Sequence, residues 1–190
     1  MKKPLVAVAL AALFATSATA QGGLRTAVFA GGCFWSIEKA FEAAPGVVSA
    51  VSGYSGGRMP EPVYPSHEGH LEAVKVTYDP TKTSYAKLTE YFFRNIDPTD
   101  AGGQICDRGH SYTTAIFVSG AQERAVAEAA KARVAGLLKK KVATAIRPAM
   151  QFWEAEAYHQ DFAKHNPEHY ERYRVGCGRD RRISAVWASR

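Results

Sequence analysis

The order of strand-like and helix-like patterns constrains the fold of this chain more than any other feature. Strands are indicated by short apolar runs, and helices by apolar residues that recur three and four positions apart. Strand patterns lie at 25–30, 47–54, 71–79 and 111–118, and helix patterns at 33–44 and 84–96. The resulting order, β-α-β-β-α-β, predicts a ferredoxin-like (split βαβ) two-layer sandwich of the α+β class.

Further elements are expected between this core and the C-terminus. An Ala-rich helix pattern runs from 121 to 139, the segment VATAIRPA predicts an added strand, and the C-terminal segment is predicted to be helical. No repeat, low-complexity segment or linker divides the chain, so residues 21–190 are expected to form one domain. The stripe expected to be buried on the Ala-rich helix is Val126, Ala130, Val134, Leu137 and Leu138.

The first twenty residues have the layout of a secretory signal peptide. The segment MKKPLVAVALAALFATSATA has two lysines, an apolar run and small residues at its end. The apolar run is shorter than the roughly 20 residues that a membrane span requires. We therefore expect residues 1–20 to be removed before Gln21, leaving a periplasmic or secreted protein with no membrane attachment.

Charge and cysteine content narrow the classes of function. The formal net charge is +6, but the basic residues are not interleaved with aromatic residues that could stack on bases, so nucleic-acid binding is not indicated. The cysteines are Cys33, Cys106 and Cys177, an odd number without a CxxC or zinc-like spacing. The histidines of HEGH, at 67–70, have no ligand-rich neighbourhood and are interpreted as loop residues. We therefore expect at least one thiol to take part in a reaction, and we expect no metal site.

Cys33 is the first candidate functional residue. It follows a strand and two glycines and precedes a helix, where free backbone N–H groups and the helix dipole favour a thiolate. The alternative, a buried cysteine that packs as a small apolar side chain, stays open at this point.

Glu72 is the second candidate. It alternates with Val74, Val76 and Tyr78, so it lies on the apolar face of its strand. A desolvated carboxyl group has a raised pKa and can act as an acid, although a glutamate near a strand end can also turn to solvent.

Three other side chains are expected near the same edge of the sheet. Tyr112 shares a predicted strand face with Ile116 and Val118, and its hydroxyl group is free to find a partner at the start of that strand. Tyr64 and Asp107 lie in the two long loops, where functional residues are common.

Five segments carry a resemblance to a known family. The segments GGCFWSIEKAF, GVVSAVSGYSGG, VYPSHEGHLEAVKVTYDP, DRGHSYTTAIF and YHQDFAKHNP occur in the order seen in the A-type peptide methionine sulfoxide reductases, which the chain resembles from about residue 26 to residue 170. The resemblance implies reduction of methionine-S-sulfoxide, in proteins or free, to methionine. Such enzymes repair oxidised methionine.

The resemblance also implies roles for the candidate residues. Cys33 would attack the sulfoxide sulfur as a thiolate, and Glu72 would protonate the departing oxygen. The residues that would bind the substrate are Phe34 and Trp35, which enclose the methyl group, Tyr64 and Tyr112, which hold the oxygen, and Asp107, which lines the site.

Attack would leave Cys33 as a sulfenic acid, which a second thiol converts to a disulfide. Cys177, between Gly176 and Gly178, is the preferred resolving cysteine, and Cys106 is its rival. Well-known members carry this cysteine directly after a tyrosine near the NP motif, whereas here Glu171 follows Tyr170.

The implied partners are oxidised proteins or peptides and an external thiol reductant. This reductant would be a thioredoxin-like protein or dithiothreitol, with no metal and no bound organic cofactor, and a monomer is expected. Two alternatives stay open: a cysteine hydrolase with His70, His110 or His159 as the base, and a non-enzymatic binding module on the same scaffold. The Phe34–Trp35 pair offers a hydrolase no polar oxyanion donor.

Overall fold

The computed structural model describes residues 23–188, so the predicted signal peptide lies outside the described part of the chain. This part contains eight strands and six α-helices. In chain order they are β1 (Arg25–Gly31), α1 (Phe34–Glu42), β2 (Val47–Ser55), β3 (Leu71–Tyr78), α2 (Tyr85–Arg94), β4 (Gly103–Gln104), β5 (Asp107–Arg108), β6 (Thr114–Val118), α3 (Ala121–Leu138), β7 (Ala145–Pro148), β8 (Phe152–Glu154), α4 (Phe162–His165), α5 (Pro167–Gly176) and α6 (Arg179–Trp187).

The main sheet confirms the predicted split βαβ arrangement. Its six strands lie in the order β7-β6-β1-β3-β2-β8, and β3 pairs antiparallel with both β1 and β2. Strand β3 therefore separates the two strands that α1 connects. Strand β7 is the added strand, parallel to β6, while β8 pairs with β2 at the opposite edge and was not predicted.

Aromatic side chains hold the helices to the sheet. Phe29 of β1 stacks on Phe41 of α1 at 4.9 Å between ring centroids and on Phe92 of α2 at 5.1 Å. Ser84 caps α2 by accepting a hydrogen bond from the Lys87 amide. The stacking contacts of Phe29 therefore pack both α1 and α2 against β1.

Three details of the predicted elements are wrong. Tyr112 lies in a 3₁₀ turn, His110–Tyr112, and not on a strand face. The chain turns there before β6 begins, because Gly109 has φ 115° and the Thr113 hydroxyl donates a hydrogen bond to the His110 carbonyl. On α3, the predicted stripe residues Ala130, Val134 and Leu138 are buried, but Leu137 is 39% exposed and the unpredicted Ala127 is buried. The predicted long loop that carries Asp107 is not entirely irregular, because it contains the hairpin of β4 and β5.

The C-terminal segment is helical as predicted but is divided into α4, α5 and α6. Gly178, with φ 65°, separates the last two helices. Within residues 23–188, no helix combines the length and the apolar character needed to cross a bilayer.

Candidate active site

Cys33 is the N-cap residue of α1, directly after the turn that leaves β1. Its carbonyl accepts the Ser36 amide at 3.1 Å, and the residue is 6% exposed. Gly32 has φ +83°, and a Cβ there would lie 2.5 Å from the Cβ of Gln104. Only glycine fits this turn without movement of Gln104, so the sequence Gly31-Gly32 determines the position of the Cys33 sulfur.

The pKa of Cys33 is raised, and not lowered as the helix N-terminus led us to expect. Burial is the largest cause, followed by the charge of Glu72, and together with Asp107 they raise the pKa to about 12. The Tyr173 hydroxyl and the Ser36 amide offset only part of this effect. The resting thiol therefore keeps its proton near neutral pH, because desolvation outweighs the helix dipole.

Glu72 faces the start of the same helix. One of its carboxylate oxygens, Oε2, accepts the Phe34 amide at 2.9 Å, and only 1% of the residue is exposed. Burial raises its pKa to about 8, with Asp107 adding to the shift and the Phe34 amide and Tyr112 hydroxyl opposing it. The solvent-facing alternative for Glu72 is thus excluded, and the carboxyl group carries a proton at neutral pH.

Aromatic rings form a wall beside these two groups. The Phe34 ring lies 4.9 Å from the His159 ring and 6.4 Å from the Tyr64 ring, measured between centroids. The Trp35 indole N–H donates to Nδ1 of His159 at 3.0 Å, while Phe162 stacks on the indole at 3.7 Å. The orientation of Trp35 is therefore fixed by residues far along the chain.

Two predicted hydroxyl groups lie on the side of Glu72. Burial and then the Glu72 charge raise the pKa of Tyr64 and of Tyr112, so both phenols stay protonated. Glu156 positions the loop of Tyr64, because its carboxylate accepts the Tyr64 amide at 2.8 Å and the Tyr54 hydroxyl at 3.0 Å.

Tyr173 connects the predicted residues Asp107 and Cys33. Its hydroxyl donates to Oδ2 of Asp107 at 2.5 Å and lies close enough to the Cys33 thiol to lower the thiol pKa. The tyrosine nearest the NP motif, Tyr170, instead donates to the Ser36 hydroxyl at 3.3 Å. Tyr173 and Glu156 were missed by the sequence analysis, which considered His159 only as a hydrolase base and not as the partner of Trp35. Only the spacing of Tyr173 four residues before Cys177 could have pointed to one of the missed residues.

Cys106 and Cys177 form a disulfide in this structure, while Cys33 is free. The two Cα atoms are 5.2 Å apart although 71 residues separate them in sequence. The Cys177 amide donates to the Tyr173 carbonyl, so Cys177 lies one helical turn after Tyr173, whose hydroxyl lowers the pKa of the Cys33 thiol. The preferred resolving cysteine and its rival are thus joined to each other in this structure, and neither is joined to Cys33.

The three histidines considered as hydrolase bases have other hydrogen-bond partners. His70 bonds to the Met59 carbonyl at 2.8 Å, His110 to the Gly69 carbonyl at 3.2 Å, and His159 to the indole of Trp35. None of them forms a hydrogen bond with Cys33 in the described part of the chain. Among residues 23–188, therefore, no histidine is hydrogen-bonded to Cys33 as the base of a cysteine hydrolase would be.

A thiol beside a proton-bearing carboxyl group, with a disulfide nearby, fits a thiol-dependent oxidoreductase. Residues 25–190 match the family described as peptide methionine sulfoxide reductase. The chain belongs to the peptide methionine sulfoxide reductase family, and to its A type. It is an enzyme of the peptide-methionine (S)-S-oxide reductase class.

Relatives and solved structures agree with this assignment. Peptide methionine sulfoxide reductase MsrA 2 of Caulobacter vibrioides is 49% identical over 192 residues, which is 96% of each chain. Methionine sulfoxide reductase A of Corynebacterium diphtheriae is 30% identical, with a TM-score of 0.68 over 78% of this chain and 77% of that one. Mxr1 of Saccharomyces cerevisiae, solved in complex with Trx2, is 22% identical and shares the fold, with a TM-score of 0.54 over 77% of this chain and 91% of that one.

Proposed function

We propose that this enzyme reduces methionine-S-sulfoxide, in exported proteins and as the free amino acid, through a sulfenic acid on Cys33. The observation that supports this most directly is the position of Glu72, whose carboxylate accepts the amide of Phe34, the residue that follows the nucleophile. A protonated carboxyl group at this place can neutralise the sulfoxide oxygen, which is a poor leaving group without a proton.

The substrate would lie with its methyl group against Phe34 and Trp35 and its oxygen toward Glu72, Tyr64 and Tyr112. The aromatic wall selects an apolar methyl group and excludes water from one side of the sulfur. Exclusion of water strengthens the hydrogen bonds to the oxygen, since the local dielectric constant is low.

The reaction then requires a thiolate and an acid at the same time. Cys33 gives its proton to water, and its sulfur attacks the sulfoxide sulfur while the oxygen takes the proton of Glu72. The hydroxyl group then moves from the methionine sulfur to the Cys33 sulfur. The new sulfur–sulfur bond breaks in the same step, and the electron pair of that bond stays on the methionine sulfur. Methionine is reduced by two electrons, Cys33 is oxidised by two, and the Glu72 carboxylate regains a proton from water.

Recycling uses the other two cysteines. The Cys177 thiol attacks the Cys33 sulfenic acid, which forms a disulfide and releases water. The Cys106 thiol then attacks the Cys177 sulfur, which frees Cys33 and produces the Cys106–Cys177 disulfide. This order is supported by the presence of that disulfide beside Tyr173, together with a free Cys33.

An external thiol donor completes the cycle. A thioredoxin-like protein is the proposed donor, supported by the structure of yeast Mxr1 with Trx2, and dithiothreitol would replace it in vitro. The signal-like N-terminus supports export, repair of oxidised exported proteins, and a donor in the same compartment. Determining the N-terminus of the protein recovered from the periplasm or medium tests export, and retention of residues 1–20 would contradict it. Size-exclusion chromatography with light scattering tests the proposed monomer.

The overall reaction is tested by incubating the purified mature protein with each sulfoxide epimer and dithiothreitol. We expect methionine from the S epimer only, and none from the Cys33→Ser variant with either epimer. Release of an acyl product without a reductant would instead favour a hydrolase. A reduced protein that keeps the same number of labelled thiols after incubation with the substrate, without reductant, would favour a binding module.

The order of the cysteines is tested by one turnover without reductant, followed by peptide mass spectrometry. The Cys106→Ser variant should accumulate a Cys33–Cys177 disulfide, and the wild-type enzyme should accumulate Cys106–Cys177. A Cys33–Cys106 product in the wild-type enzyme would make Cys106 the resolving residue.

A further inference from the structure

Three potential metal ligands converge where the recycling cysteines meet. The sulfur atoms of Cys106 and Cys177 and a carboxylate oxygen of Asp107 all lie within 4.8 Å of one another. The sulfurs are joined here, and a disulfide sulfur does not bind divalent metals as a thiolate does. Reduction by dithiothreitol breaks the sulfur–sulfur bond and gives two thiols, while the reductant becomes a cyclic disulfide. We propose that the reduced enzyme binds one thiophilic divalent cation, Zn²⁺ or Cd²⁺, through Cys106, Cys177 and Asp107.

The backbone already holds the two cysteines at a spacing that suits a metal. Their Cα atoms are 5.2 Å apart, and each cysteine lies beside a regular element: Cys106 precedes β5, and Cys177 follows α5. Two thiolates on a tetrahedral Zn²⁺ are about 3.8 Å apart, given a Zn–S distance of about 2.3 Å. Side-chain rotation after reduction is enough to open the sulfurs to that separation, so the site needs no change of fold.

Asp107 would supply the third ligand from a fixed position. It directly follows Cys106, and its carboxylate accepts the Tyr173 hydroxyl through Oδ2. Such a bond from outside the site orients a metal-binding carboxylate. Because the Tyr173 hydroxyl also lowers the pKa of the Cys33 thiol, the proposed site adjoins the reaction site without including its nucleophile.

The residues around the proposed metal site leave it accessible to an ion and partly balance the negative charge of its ligands. Cys106 and Cys177 line a cavity of about 540 Å³, which gives a path for the ion and room for water as a fourth ligand. Arg181 and Arg182 line the same cavity, and cationic side chains favour deprotonated thiols. Two thiolates and a carboxylate favour Zn²⁺ or Cd²⁺ over Mg²⁺ or Ca²⁺.

Metal binding would stop recycling but not the first chemical step. A bound ion occupies the sulfur of Cys177, so this thiol cannot attack the Cys33 sulfenic acid. Each chain would still yield one methionine, and then stop until the metal is removed. Formation of the Cys106–Cys177 disulfide would conversely release the metal, so the redox state of this pair would control occupancy.

Binding is tested with the full mature protein, reduced and freed of dithiothreitol under anaerobic conditions, and titrated with Co²⁺ or Cd²⁺. We expect one equivalent to bind, with tetrahedral Co²⁺ absorption or Cd²⁺–thiolate charge-transfer absorption, and no such signal from the disulfide form. Cys33→Ser should retain the signal. Cys106→Ser and Cys177→Ser should lose it. Asp107→Asn should weaken affinity by at least about 10-fold, because a direct ligand contributes no less than the outer-shell partners whose loss has that effect.

Loss of the signal in Cys33→Ser, or equal signals from the reduced and disulfide forms of the wild-type protein, would overturn the proposal. The second comparison needs no variant, so it decides even if a substitution disturbs folding. Methionine formation is measured in parallel with Zn²⁺ and then with excess chelator, and we expect one turnover that resumes on chelation. Inhibition of that first turnover by Zn²⁺ would contradict the assignment of the metal to Cys106, Cys177 and Asp107. Inactivity in the absence of metal would contradict the proposed function but would leave the spectroscopic result intact.

Discussion

Near neutral pH the Glu72 carboxyl group and the Cys33 thiol both carry protons, because burial raises the pKa of the first to about 8 and of the second to about 12. The proposed reaction needs a neutral acid and an ionised thiol. As pH rises toward 8 the thiolate fraction grows tenfold per unit while the acid is unchanged. Above pH 8 further gain of thiolate is offset by loss of the acid proton.

The rate of methionine formation in a single turnover should therefore rise up to about pH 8 and then level off. Glu72→Gln keeps an acceptor for the Phe34 amide but cannot donate a carboxyl proton. We expect this variant to be slower by roughly 10² to 10⁴ at pH 7, with a rate that continues to rise through pH 8. A plateau near pH 8 that persists in the variant would show that another group is the acid.

Tyr173 lowers the pKa of both Cys33 and Asp107 through its hydroxyl group, while its ring lies edge-on to Trp35. Tyr173→Phe keeps the ring and removes the hydroxyl. The thiolate fraction of Cys33, measured as its alkylation rate at fixed pH, should fall, because the hydroxyl group that lowers the thiol pKa is gone. Tyr170→Phe on the same helix is the matched control and should alkylate like the wild-type enzyme. Equal rates for all three proteins would leave Tyr173 with a packing role alone.

At the level of elements, α1 is held to the sheet by a buried carboxyl group. Glu38 is 2% exposed and accepts the Ser52 amide of β2 at 3.2 Å. Burial raises its pKa from 4.5 to about 7, with smaller contributions from Glu42 and Asp161. The pKa of Glu38 is higher in the folded than in the unfolded protein. Its contribution to the free energy of unfolding is therefore fully present below pH 4.5 and is lost as pH rises through 7.

Glu38→Gln should remove this dependence on pH. Between pH 4.5 and pH 8 the wild-type protein should lose up to about 3 kcal/mol of unfolding free energy from this group, and the variant none of it. Urea denaturation at the two pH values measures the difference, and Glu128→Gln on the exposed face of α3 is the control. A variant that loses as much stability as the wild-type protein would disprove the assignment to Glu38.

The junction between α5 and α6 contains two glycines with different requirements. Gly178 has φ +65°, so Gly178→Ala should cost about 1–2 kcal/mol. Gly176 ends α5, and a Cβ added there would meet no atom within 4 Å outside its own helix, so Gly176→Ala should be neutral or stabilise by up to about 1 kcal/mol. Urea denaturation of the two oxidised variants checks the order, and the reverse order would mean that the turn is not at Gly178.

The strand order and the position of Cys33 could be predicted because both depend on local signals: period, glycine turns and helix ends. Glu72 could be predicted because one polar residue stands out in an apolar alternation. The partner of Trp35, in contrast, is 124 residues away in sequence, and the partner of Asp107 is 66 residues away. No local pattern encodes such pairs. The pKa of Cys33 was mispredicted for a related reason, since its burial depends on the whole fold.

For the whole molecule, the redox cycle should change global stability. The Cys106–Cys177 disulfide closes a loop of 71 residues and ties the C-terminal helices to the β4–β5 hairpin. Restricting the unfolded chain in this way is worth up to about 4 kcal/mol. Urea denaturation of the wild-type protein should therefore show a lower midpoint with dithiothreitol than without it. Cys106→Ser should resemble the reduced protein and be insensitive to dithiothreitol. Equal midpoints for the two wild-type forms would mean that other contacts restrict the unfolded chain as much as the disulfide does. The reductant would then change the chemistry at Cys177 without lowering the stability of the protein.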